Sequence, residues 1–251
     1  MGKFQDFVLI KEAGESLERQ EVGFVNLVMS GVRKNKGQPI TVSTNHGASI
    51  KNVISAQKFG GRTSGGSEPL TDVILKVKGG KDVRLSMKGL SAPSLAGGGL
   101  KGIEAIIPGL SNRFMTAAHA ALSKKHKSGD KIPDIYAKMN DSDKIKLLKG
   151  NEAAGGPIDF MYIGNMDVEG QVTGTSVVIS NGRMIDVNKY AKEHDLFFRL
   201  RARREDQTFD PKSKFGDGTP KVYGKSPSKG DSAGRIVVTS STPKGAFIIS
   251  L

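Results

Sequence analysis

The sequence predicts an α/β fold, a mixed β-sheet core flanked by helices with a β-rich C-terminal part. Three features lead there: an amphipathic helix pattern near the N-terminus, a hairpin pattern at residues 71–89, and five β-former segments in the last third. In "GESLERQEVGFVNLVMSGV" the apolar residues Leu17, Val22, Phe24, Val25, Leu27 and Val28 recur at helical spacing. Glu15, Glu18 and Glu21 follow one another at i, i+3, i+6 along one side. Two strands are expected in "PITVST" and "IKNVISAQKF", separated by the turn-prone "NHGAS". The Gly/Ser-rich "GGRTSGGSEP" leads into the hairpin "TDVILKVKGGKDVRLSMKG". A second Gly-rich turn, "LAGGG", precedes a helix in "IEAIIPGLSNRFMTAAHAALSKKHK" that Pro108 breaks or kinks. The polar stretch from Ser128 to about Gly156 holds one short helix near "DSDKIKLLKG". The segments "IDFMYIG", "GTSVVIS", "DLFFRLRARR", "GRIVVTSS" and "GAFIISL" read as strands. No internal repeat is visible, and the expected division is 1–127 as core and 128–251 as a β-rich extension packed on it.

Composition narrows the chemistry. The 251 residues include no cysteine, which removes disulfides, zinc–thiolate sites and thiol nucleophiles; a metal here needs oxygen or imidazole ligands. No apolar run approaches the roughly 18–20 residues that span a bilayer, and the N-terminal apolar stretch is too short for a signal peptide, so a cytoplasmic, membrane-free protein is expected. Thirty-eight Lys and Arg against 25 Asp and Glu leave a formal charge of +13, and a polyanionic partner follows naturally.

The hairpin raises the sharpest question. Strand side chains alternate between faces, so Val73, Leu75 and Val77 share one face while Asp72, Ile74 and Lys76 share the other. On the return strand Val83, Leu85 and Met87 oppose Arg84, Ser86 and Lys88. Folding at "KGGKD" brings the start of the first strand beside the end of the second. A carboxylate (Asp72), a hydroxyl (Ser86) and an ammonium (Lys88) then converge on one end of a half-apolar hairpin.

The pattern "SGGSEPLTD…VRLSMKG", with "SAPSLAGGGLKGIE" after it, resembles the core of the PD-(D/E)xK nuclease superfamily, and in particular phage endonucleases and some restriction enzymes. The resemblance covers residues 15–105 well and the remainder loosely, and implies a restriction-endonuclease-like fold. In that family an acidic residue opens the second core strand and an acid-x-Lys triplet ends the third. The resemblance therefore implies Asp72 as the metal-binding acid and Lys88 as the catalytic lysine, with Mg²⁺ as cofactor. Two departures stand out: Pro69 lies three residues before Asp72 instead of next to it, and Ser86 occupies the second acid position. Some restriction enzymes with Ser there supply the carboxylate from the next helix, which makes Glu104 the candidate, expected in the first turn of that helix and directed back to the hairpin. Glu18 or Glu21 would represent the acid that the family carries on its first core helix. Phosphodiester hydrolysis requires shielding of anions, a hydroxide near neutral pH and stabilisation of transition-state charge, for which two carboxylates holding Mg²⁺ and an ammonium are suited.

Partner evidence comes from the C-terminal third. Arg199, Arg201 and Arg203 alternate on one strand, with Arg204 beyond, a spacing that can track phosphates. The loop "PKSKFGDGTPKVYGKSPSKGDSAGR" carries Lys221 and Lys225 among Phe215 and Tyr223 and suits a nucleic-acid backbone. The four histidines show no metal-ligand spacing. Two function classes result: a Mg²⁺-dependent, phage-type DNA endonuclease working in the host cytoplasm, with a homodimer as a further expectation, or a non-catalytic nucleic-acid-binding protein retaining the nuclease fold. The phosphate chemistry leaves RNA open beside DNA.

Overall fold

Residues 20, 24, 28 and 32 define the buried stripe of the first helix. The computed structural model describes residues 2–60, 69–90, 99–202, 205–224 and 235–251. Helix α1 (Gly2–Lys34) buries Gln20, Phe24, Val28 and Val32 at i, i+4 spacing. Burying the three apolar side chains contributes roughly 1.5–3 kcal/mol each. It is longer than the amphipathic pattern alone predicts, and the side chains of Glu15 and Leu17 lie outside the described residues.

Strands β1 (Ile40–Thr44) and β2 (Ser49–Lys58) form the first hairpin, and β3 (Val73–Val77) and β4 (Val83–Gly89) the second. Helices α2 (Gly99–Ile106) and α3 (Leu110–Ser123) flank Pro108, so the break expected there is a true interruption. Then come β5 (Ile135–Lys138), α4 (Asp141–Lys149), β6 (Phe160–Gly164), β7 (Gly170–Val172), β8 (Ser176–Ile179), β9 (Gly182–Asp186), α5 (Val187–Glu193), β10 (Phe197–Arg201), β11 (Arg235–Thr239) and β12 (Phe247–Ile249). Strands β5, β7 and β9 have no counterpart in the sequence reading. They are short, and their pairing partners lie far along the chain or carry the stronger pattern.

The chain builds an α/β protein with two compact units. The first comprises the described residues up to 90 together with Lys149–Tyr190. Its eight-stranded mixed sheet has the order β7-β8-β1-β2-β3-β4-β6-β9. Strands β2, β3 and β4 form an antiparallel meander, β6 joins β4 in parallel, and β9 closes antiparallel on β6. α1 lies on the sheet with Phe24, Val28 and Val32 in one core with Val42, Val53, Val73, Leu75, Leu85 and Tyr162. Gly182 and Gly164 face each other across β9 and β6 for a steric reason: a Cβ on either would overlap the Tyr162 hydroxyl, at 2.1 and 2.5 Å. The second unit holds α2, α3 and a four-stranded sheet ordered β11-β10-β5-β12. Phe114 of α3 packs on Phe198 of β10, and α2 packs against β11.

The boundary expected at residue 127 therefore falls inside the second unit. A parallel β4–β6 pair requires a long crossover, and the chain leaves the first sheet after β4 and returns at β6, so "IDFMYIG" belongs to the first sheet and not to a C-terminal extension. Among the described residues no helix is long and apolar enough to cross a membrane.

Candidate functional site

The hairpin places its polar end as alternation requires. Val73 faces Leu85, and the Asp72 amide donates to the Leu85 carbonyl at 2.9 Å, so Asp72 stands across from Ser86. Asp72 Oδ2 accepts two hydrogen bonds, from the Met87 amide at 2.6 Å and from the Ser86 hydroxyl at 3.1 Å. Ser86 is thereby used: it is buried and holds the carboxylate in place instead of supplying one. Asp72 Oδ1 has no hydrogen-bond partner among the described residues.

Burial pushes the Asp72 carboxyl up from its ordinary 3.8 to about 6. The Lys88 ammonium and the Met87 and Ser86 donors pull it back, while the charge of Glu21 pushes it further up. The charges of two sequence candidates thus act on Asp72: Lys88 from the same hairpin and Glu21 from α1. Glu18, one turn before Glu21, is exposed, and its carboxylate is 3.1 Å from the ammonium of Lys58. The same ammonium lies 3.1 Å from Glu21 Oε2. Burial draws the Lys58 pKa down, and its two carboxylate partners more than compensate, leaving it above its ordinary value.

Two residues of this site escape the sequence reading. Lys58 is the last residue of β2 and stands opposite Val73, the neighbour of Asp72; nothing in its local pattern separates it from the other lysines of a basic chain. Gln20 is fully buried, and its Nε2 donates to the carbonyls of Gly164 and Asn165 at 3.0 Å each and of Lys88 at 3.4 Å. It ties α1 to the ends of β4 and β6, and its Oε1 is buried without a partner among the described residues. Its signal was available: the amide continues the 24-28-32 apolar stripe one turn back, where an unpartnered polar group would be costly.

Glu104 behaves differently from expectation. It lies in the second turn of α2, not the first, because the helix starts at Gly99. Its carboxylate turns toward the start of α3, accepting from the amide of Gly109 and, at 3.2 Å, from that of Ser111. Gly109 offers no side-chain cap to α3, and the carboxylate takes that role with favourable charge at a helix N-terminus. Ile103 and Ile107 are buried beside it, and α2 packs against β11 of the second unit.

The basic residues of the C-terminal third separate likewise. Arg199 is ion-paired with Asp134 at 2.6 Å and lies over the Tyr136 ring, so its guanidinium is committed within its own unit. Lys221 is buried with its ammonium over Phe215. Arg201 is exposed, and Arg203, Arg204 and Lys225 lie outside the described residues, as do most of the Gly-rich loops. In the second unit an open groove of about 520 Å³ runs between α3 and β12, lined by Ala117, Ala120, Ala121, Lys124, Lys125 and Phe247 among others.

Among the described residues no three of His, Asp and Glu are grouped to hold a metal. By donor chemistry alone, Asp72 is a hard oxygen donor of the kind that suits Mg²⁺, which is typically held by one or two carboxylates with water and substrate phosphate completing its shell; Glu21 is the same type of donor, with Oε2 paired to the Lys58 ammonium. No family model, curated protein or solved structure matches the chain.

Proposed function

We propose that this chain is a Mg²⁺-dependent nuclease of the PD-(D/E)xK type that hydrolyses phosphodiester bonds of DNA. The observation that carries the reading is the polar end of the meander: Asp72 opens its second strand and is hydrogen-bonded to Ser86 and Met87 of the Ser-x-Lys triplet that ends the third, and the charges of Lys88 and of Glu21 on α1 act on its carboxyl. The sheet order supports it, since β2, β3 and β4 with parallel β6 give the triplet a central position instead of an edge. In this reading Asp72 and Glu21 hold the metal, and Glu104 keeps to its capping role. Bound there, Mg²⁺ supplies neutralisation of the phosphate and acidification of a water. Asp72 is held ready by Ser86 and Met87, which fix its orientation from one oxygen and leave the other open. Lys88 offers an ammonium to the phosphoryl oxygens as charge builds on them, or orients the attacking water. Gln20 restrains the Lys88 backbone through its carbonyl.

A second reading, a DNA-binding protein that keeps the fold without the chemistry, is favoured by one observation: the triplet's acid is Ser86, and no third carboxylate joins the pair among the described residues. Supercoiled plasmid incubated with the protein in Mg²⁺ and in EDTA separates the two. Nicking or linearisation in Mg²⁺ alone, lost in Asp72→Asn, supports the nuclease; shifted mobility without cleavage supports the binding protein.

A further inference from the structure

We infer that the first unit carries a surface for a nucleic-acid phosphate backbone at the end of its sheet away from Asp72, where the tail of α1, the first half of β2 and the β3–β4 turn converge. The residues are Arg33, Lys34, Lys36, Lys51, Lys78 and Lys81, all exposed. They come from three stretches of chain, and strand register brings them to one end. Ile40, which opens β1 just after α1, pairs with Val53 of β2, and Val53 pairs with Val77 of β3. The Lys78 amide donates to the carbonyl of Asn52, the residue after Lys51, at 2.8 Å. Strands β1, β2, β3 and β4 are successive neighbours, so the basic stretch crosses three strand spacings, about 15 Å. Duplex DNA carries one negative charge per about 1.7 Å of its axis, and a backbone laid across this end meets several of these cations at once.

Local roles account for only two of the six. Arg33 and Lys34 suit the negative end of the α1 dipole, and Lys34 Nζ also donates to the Val172 carbonyl at 2.9 Å. Lys36, Lys51, Lys78 and Lys81 lie outside any helix, and among the described residues no carboxylate pairs with their ammonium groups. Protection of a sheet edge does not explain them either, because β1 to β4 hold the third to sixth places in a sheet of eight. Counter-charge is scarce here. The sequence has no Asp or Glu between Glu21 and Glu68, and Asp82 in the β3–β4 turn is spent on Lys76. Asp159, which accepts the Arg84 amide, marks where the basic stretch stops toward β6. Gathered like charges repel one another in the protein alone, and a polyanion relieves that repulsion. Ammonium groups act as point charges on phosphate, so binding that ignores base sequence is expected. Lys78 lies six residues beyond Asp72, about 20 Å along an extended strand, so this surface stands whether or not the Asp72 end cleaves.

Fluorescence anisotropy with a mixed-sequence DNA duplex and its RNA counterpart, in EDTA and across about 50 to 200 mM salt, tests the inference without any need for cleavage. The triple variant Lys51→Gln, Lys78→Gln, Lys81→Gln is expected to lower the salt slope of binding by about 2–3 and to weaken binding about tenfold or more at the upper salt. Lys→Arg changes at the same three positions should restore both. A second triple, Lys124→Gln, Lys125→Gln and Lys131→Gln, removes the same charge from exposed positions of the second unit and should leave the slope near wild type. Thermal melts establish that each variant is folded. An unchanged slope in the first triple, or equal losses in both triples, overturns the inference, the latter by reducing the effect to net charge. Loss of binding to phosphatidylserine vesicles with duplex binding unchanged overturns it in favour of a membrane surface. Duplex binding that depends on these lysines in a protein that never nicks plasmid leaves this surface standing and overturns the nuclease reading alone.

Discussion

Replacing Asp72 by Asn is expected to stabilise the protein at alkaline pH and to leave it nearly unchanged at pH 4. In the folded state the carboxyl is raised from 3.8 to about 6, first by burial and then by Glu21. A group whose folded pKa is raised holds a proton that the unfolded chain gives up, so its contribution to stability is complete below about 3.8 and is lost as pH rises through about 6. A shift of this size corresponds to about 3 kcal/mol as an upper value, at about 1.4 kcal/mol per unit. Asn is isosteric with the protonated acid: with its oxygen at the Oδ2 position it accepts from both the Met87 amide and the Ser86 hydroxyl, and its NH₂ takes the Oδ1 position. The variant thus keeps the hydrogen bonds and removes the buried charge. Denaturant or thermal unfolding in EDTA at pH 4 and pH 8 checks this, with roughly 2–4 °C expected per kcal/mol in a chain of this size. Comparing mutant with wild type at each pH cancels the other carboxylates. Adding Mg²⁺ should reverse the order at pH 8, raising the wild-type midpoint by mass action and leaving Asp72→Asn unmoved. A variant less stable than wild type at pH 8 in EDTA, or displaced equally at both pH values, would refute the reasoning, because the charge would then be paid no penalty in the folded state.

Lys88→Ala is expected to abolish cleavage while preserving the far-UV circular dichroism spectrum and most of the DNA affinity, since this ammonium acts at a strand end and not in the core. Arg199→Ala should destabilise the second unit by about 1–2 kcal/mol through loss of the Asp134 pair, read by denaturant unfolding, whereas exposed Arg201→Ala should leave stability alone and, if that surface meets DNA, lower the salt slope of binding by about one. Glu104→Ala should cost about 0.5–2 kcal/mol, the size of a lost helix cap, with cleavage retained; loss of cleavage in a folded variant would return Glu104 to the active site.

What was legible in the sequence was local. The hairpin of residues 71–89 announces itself through period-two alternation and a Gly-Gly turn, and those two facts suffice to bring Asp72 to Ser86, as the 3.1 Å hydrogen bond shows. The face of α1 that meets the sheet was visible in residues 24 and 28, and the helix break at Pro108 follows from a missing amide and a steric clash within one turn. The tertiary structure decided which carboxylate's charge acts on Asp72. Glu21, roughly fifty residues upstream, does so because α1 docks on the meander, while Glu104, closer in sequence, spends its charge on the first amides of α3. Local pattern could not rank them, because their roles depend on how helices pack and not on either helix's own periodicity. The same reason hid Lys58, whose pairing with Glu18 and Glu21 exists only because α1 docks over the end of β2, and misplaced the domain boundary, since the β4–β6 pair joins segments that the chain keeps some seventy residues apart. Periodicity is a property of consecutive residues; the convergence of charges and the return of a strand to a distant sheet are set by long-range packing, which the order of side chains along one element does not encode.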